Sequence, residues 1–105
     1  MKRDVVLWML IVLLLPACAR TVPADRGDSV RTLDYGGRER AYILHVPPAY
    51  DASRPAALVL SLHGGGGNAA NQRRVSGFNR LADAEGFLVV YPNGTGRFQD
   101  VLLTW

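Results

Sequence analysis

The residues best able to do chemistry form one run, His63-Gly64-Gly65-Gly66-Gly67-Asn68, set directly after the apolar stretch 57–62. Glycine lets backbone N–H groups turn into a pocket and lets a ligand approach where a Cβ would block it. Three chemistries use that property. A phosphate-binding loop requires Gly-x-x-x-x-Gly-Lys-Ser/Thr, and no lysine follows here. A dinucleotide fingerprint requires Gly-x-Gly-x-x-Gly opening straight into a helix. Gly64 and Gly66 meet its first two positions and Ala69 stands at the third, but His63 and the polar segment after the glycines fit it poorly. The third chemistry is an oxyanion hole, in which N–H donors sit about 2.7–3.1 Å from a developing negative oxygen and contribute about 3–4 kcal/mol each. A glycine turn without function is the plain alternative.

Other reactive side chains are sparse. His45 and His63 are the two histidines, and no third ligand stands at a spacing that completes a metal site, so no metal is expected. Asp83 and Glu85 read as the solvated side of a helix rather than as a carboxylate pair. Ser61 falls inside an expected strand, Ser76 reads as a helix cap, and Ser29 and Ser53 lie in or beside loops. No Gly-x-Ser-x-Gly occurs in the chain.

The elements that must position the glycine run can be read from pattern. Residues 30–35 and 40–46 read as strands, and Tyr35-Gly36-Gly37-Arg38 between them supplies the positive-φ residues of a hairpin turn. Tyr42, Leu44 and Val46 alternate with Ala41, Ile43 and His45, so one face is better buried than the other. Pro47-Pro48 ends that strand, because proline cannot donate a ladder hydrogen bond. The run 57–62 is nearly all apolar, as in a strand covered on both faces. A polar segment with helical potential, 69–75, follows the glycines. Ser76 is then expected to cap a helix that presents Phe78, Leu81 and Ala82 on one side and stops at Gly86. Residues 87–91 read as a second buried strand, stopped by Pro92-Asn93-Gly94. Strand, helix and strand make a βαβ unit, hence a parallel pair. The expected fold class is α/β: an antiparallel hairpin followed by the start of a parallel sheet.

Four blocks carry a resemblance: Tyr42-Ile43-Leu44-His45-Val46-Pro47, Leu62-His63-Gly64-Gly65-Gly66-Gly67, Ser76-Gly77-Phe78-Asn79 and Val90-Tyr91-Pro92-Asn93-Gly94-Thr95-Gly96. In this order they resemble the extracellular esterase group of polyhydroxybutyrate depolymerases and feruloyl and acetylxylan esterases. The likeness spans roughly residues 30 to 105, and Thr104-Trp105 resembles the start of a further block. It implies the N-terminal part of an α/β-hydrolase sheet, a Ser-His-Asp mechanism on esters, and no cofactor. By the same resemblance, backbone N–H groups of Gly65 and Gly66 serve the oxyanion, with Gly64 and Gly67 supporting the loop. His63 then shapes that loop and is not the catalytic base. In this fold the order is serine, acid, histidine. No catalytic residue of that triad is expected within the chain, which reads as the N-terminal piece of an esterase precursor. A non-catalytic envelope lipoprotein or remnant and a secreted α/β-hydrolase peptidase are the alternative readings.

Composition and the N-terminus place the chain. Met1-Lys2-Arg3 and the apolar run 5–15 have the form of a secretory leader. Eleven helical residues cover about 16 Å, too short for roughly 30 Å of hydrocarbon. Leu15-Pro16-Ala17-Cys18 resembles a bacterial lipobox, so Cys18 is the expected lipid attachment and the membrane a partner through that anchor. The expected organisation is a signal peptide over 1–17, a tether over 18–28, and the esterase portion over 29–105. Export follows, to the extracellular space or the outer membrane. A single cysteine excludes an internal disulfide. The net charge is +3, carried by scattered arginines, and nucleic acid is not an expected partner. Polyester or plant cell-wall ester is the expected substrate class.

Overall fold

The computed structural model describes residues 25–98 and 101–105. The leader and Cys18 lie outside the described residues, as does most of the tether. The order of elements is β1 (Gly27–Tyr35), β2 (Arg38–Val46), β3 (Leu58–Leu60), α1 (Ala69–Ser76), α2 (Phe78–Glu85) and β4 (Leu88–Pro92). They build one mixed α/β layer pair. The four strands lie in the order β1-β2-β4-β3, with β1–β2 and β2–β4 antiparallel and β3–β4 parallel.

The hairpin register follows from its turn. Gly36 and Gly37 both take positive φ, 60° and 73°, the backbone that a two-residue loop between twisted strands demands. Tyr35 then faces Arg38, and the ladder runs back without a bulge to Gly27 opposite Val46. β1 therefore begins at Gly27, inside the stretch expected to be tether. Asp28 is held there by its cross-strand neighbour His45.

The helices are terminated by local chemistry. Asn68 caps α1, its side-chain oxygen accepting from the Asn71 N–H at 2.8 Å. The cap of α2 is Gly77, at φ 70°, and not Ser76. Ser76 ends α1 instead, and its hydroxyl accepts a long 3.4 Å bond from the Phe78 N–H. A glycine wins this position because α1 must end and α2 start at one left-handed residue, which serine adopts only with strain. Gly86 closes α2 as expected, at φ 79°, its N–H reaching the Ala82 carbonyl at 2.8 Å.

Both helices pack on the same face of the sheet. Ala69, Ala82, Val89 and Tyr91 form the core there, with Ile43, Phe78 and Phe87 against it. The run 57–62 does not behave as a strand covered on both faces. Its regular part is three residues long, and Leu58 and Leu60 are more than half exposed. The reason is the strand's period of two: Val59 shares the face of Val89, while Leu58 and Leu60 point to the opposite face, which no described element covers. That face carries an open groove of about 720 Å³ floored by Leu33, Tyr42, Leu60 and Val90.

Candidate functional site

The parallel pair β3–β4 sets the location. Ligands of open α/β sheets bind beyond the carboxyl ends of parallel strands, where successive loops diverge. The ladder extends one residue past β3, with the Ser61 N–H donating to the Val90 carbonyl at 2.9 Å. Beyond it, 63–68 meets the segment 93–96 that leaves β4.

His63 joins the two loops. Its ring is buried, with Nδ1 2.8 Å from the Gly64 carbonyl and Nε2 3.0 Å from the Gly94 nitrogen. A backbone N–H can only donate and a carbonyl only accept, so Nε2 accepts and the ring proton sits on Nδ1. Both ring nitrogens are occupied, which leaves neither to take a proton from a nucleophile. Trp105 adds two further contacts. Its indole N–H donates to the His63 carbonyl at 2.9 Å, and its ring lies 4.6 Å from the imidazole. Gly94 lies so close to the C-terminal segment that a Cβ there would fall 2.2 Å from the Thr104 carbonyl oxygen.

Within the glycine run the donors differ. The Gly67 N–H closes a turn onto the Gly64 carbonyl at 3.0 Å. The Gly66 N–H donates to the Leu103 carbonyl at 2.9 Å, and the Leu103 N–H returns to Gly67 at 3.3 Å. The Gly65 N–H meets no acceptor among the described residues. Of the two N–H groups expected to face an oxyanion, one is open and the other is already bonded. A Cβ at Gly64 or Gly65 would meet nothing within 4 Å, so this side of the loop is accessible. The start of α1 is tied to the same junction, since the Ala69 N–H donates to the Asn93 side chain at 2.7 Å.

The four described serines are engaged elsewhere. Ser61 is buried and its hydroxyl accepts from the Gln72 amide at 3.0 Å, while Ser53 bonds Asp51. Ser29 accepts from Arg31. With Ser76 beside Phe78, none has a histidine ring as its partner. Among the described residues no group of three His, Cys, Asp or Glu side chains is arranged to hold a metal.

A second cluster escaped the sequence reading. His45 is buried between two carboxylates, Nδ1 2.7 Å from Asp28 and Nε2 2.8 Å from Asp83. Carboxylates accept, so a ring bonded to both donates from both nitrogens. Arg73 pairs with the other Asp28 oxygen, and the Asn79 amide donates to the first at 2.9 Å. Burial by itself pushes the Asp28 carboxyl up, but the bonds from His45, Arg73 and Asn79 together outweigh it and hold the group below the usual carboxylate range. Tyr91 extends the network, its hydroxyl donating to Asn79 at 2.7 Å and its ionisation pushed up chiefly by burial. Asp83 is therefore no plain solvated helix residue. The Asp28–His45 half was within reach: a two-residue turn at 36–37 sets residue 28 opposite residue 45. The contribution of α2 has no such signal, and neither does the docking of Leu103 and Trp105 on the glycine loop.

No protein-family profile matches the chain. It is similar to a curated protein of Nocardia uniformis subsp. tsuyamanensis described as "Putative esterase NocK", with 45% identity over 74 residues. The match covers 68% of this chain and 21% of that relative, so the chain spans about a fifth of the length of the protein it resembles.

Proposed function

We propose that the chain carries the oxyanion-loop portion of an exported carboxylic-ester hydrolase. The observation that carries this reading is a single juxtaposition. A Gly65 N–H that meets no acceptor among the described residues stands beyond the carboxyl ends of two parallel strands, on a loop braced by a histidine whose ring nitrogens are both occupied. The similarity to an esterase relative supports it. In the proposed reaction a serine activated by histidine adds to the ester carbonyl, the alcohol leaves, and water releases the acid. The N–H donor stabilises the tetrahedral oxyanion. Serine, acid and base come from outside these 105 residues, and the substrate class is a polyester or a plant cell-wall ester, as in polyhydroxybutyrate depolymerases and feruloyl esterases.

The test is a chimera in which this chain replaces the matched segment of the Nocardia relative, assayed with p-nitrophenyl acetate beside the unaltered relative. Turnover sensitive to a serine-directed inhibitor is expected from the chimera. The 105-residue chain itself is expected to show none above its His63→Ala control. A folded chimera without turnover, next to an active parent, would remove the reading.

Export and anchoring through Cys18 belong to the same proposal. Labelled palmitate fed to a bacterial host expressing the chain is expected to enter the protein and to be lost in Cys18→Ser. Equal labelling of both chains, or none in either, would exclude the anchor.

A further inference from the structure

The C-terminal segment does more at the glycine loop than cover it. The Leu103 carbonyl occupies the space before the Gly66 N–H at 2.9 Å, where an oxyanion would have to sit to use that donor. An oxyanion brought there would also face the negative end of the Leu103 carbonyl dipole. The segment is held in place from several sides. Thr95 and Thr104 exchange backbone bonds of 2.7 and 2.9 Å, Leu103 is buried, and the Trp105 indole bonds the His63 carbonyl. Leu102 takes φ 53°, a left-handed conformation that leucine keeps only where its surroundings hold it.

We propose that Leu103–Trp105 is a strap that selects the loop's donor: it uses up the Gly66 N–H, leaves Gly65 as the group offered to an anion, and makes Trp105 a positioning residue. The assignment of an anion to Gly65 rests on the ester-hydrolase reading, whereas the strap itself does not. Under that reading the second oxyanion donor comes from the segment that supplies the nucleophile and not from Gly66.

The test is amide hydrogen exchange by NMR on the full chain, kept in solution with a mild detergent. In the parent chain the Gly66 amide is expected to exchange about tenfold or more slowly than that of Gly65. Trp105→Ala is expected to bring Gly66 close to the Gly65 rate while Ser61 and Asn93, bonded within the sheet, keep theirs. Trp105→Phe, which retains a ring but not the indole N–H, is expected to fall between the two. Titration with acetate, the anion that hydrolysis of an acetyl ester releases, is expected to give a saturable shift at Gly65 and none at Gly66. Equal exchange of Gly65 and Gly66 in the parent chain, as an unfolded chain would also give, overturns the strap. An acetate response at Gly66, or none at Gly65, overturns the donor assignment. Failure of the chimera to hydrolyse ester, with Gly66 still protected, would remove the ester reading and leave the strap standing.

Discussion

Replacing His45 with alanine is expected to cost the fold about 2–3 kcal/mol, measured as a lowered midpoint in urea. The imidazole is buried and bridges Asp28 on β1 to Asp83 on α2, so its loss unlocks the hairpin from the helix layer. Removing one partner of a fully buried ion pair costs about 3–5 kcal/mol, because the remaining charge keeps its desolvation penalty. Here both carboxylates retain some solvent contact, which lowers the figure. Loss of packing around the ring restores part of it. A change under about 0.5 kcal/mol, the size of an ordinary surface substitution, would show that the bridge is incidental.

The same network sets an acid limit. The Asp28 carboxyl is depressed in the folded chain, so its contribution to stability is fully present above the unfolded carboxylate value of about 3.9. It is lost as pH falls through the lower folded value. The His45→Ala chain, with one donor to Asp28 gone, is expected to lose less stability over that window than the parent. An unchanged acid slope would mean that Arg73 and Asn79 alone hold the carboxylate.

Gly94→Ala is the other large effect, expected at about 2–4 kcal/mol and concentrated at the glycine loop. The added Cβ would stand 2.2 Å from the Thr104 oxygen and 2.9 Å from its carbon, with the His63 ring nitrogen at 3.3 Å. Two of those atoms are backbone, so relief requires the strap to move, and that movement parts Gly94 from His63. The contrast is Gly65→Ala. Its Cβ would meet nothing within 4 Å and its φ is not positive, so its expected cost is below about 0.5 kcal/mol. Denaturation of the two variants side by side decides the matter, and equal losses would refute the close-packing argument.

Much of the scaffold was legible because it depends on near neighbours. The Gly36-Gly37 turn, the Gly86 stop and the parallel strand pair all follow from backbone preferences or hydrophobic period. The misreadings of 57–62 and Asp28 share one cause, namely that coverage belongs to the assembly. An apolar run reads alike whether its faces are buried or open, and 57–62 became a short strand with Leu58 and Leu60 uncovered. Asp28 read as tether for the same reason, and Asp83, exposed as expected, also bonds the buried His45. Asp83 carries no mark of the histidine 38 positions away, whereas the turn at 36–37 sets Asp28 opposite His45, 17 positions on.

The glycine run is where the two levels of description part. Residue types alone determined that a loop rich in backbone donors follows a strand, since four glycines after His63 can do little else at that place. They also limited the chemistry to donors without a phosphate-binding lysine. Which N–H is available is a tertiary property. All four glycines carry the same group; a local turn takes up the Gly67 N–H, and the approach of Leu103 from 37 residues beyond takes up that of Gly66 and not that of Gly65. The physical reason is that a hydrogen bond depends on where its acceptor arrives, and local sequence specifies the donor only.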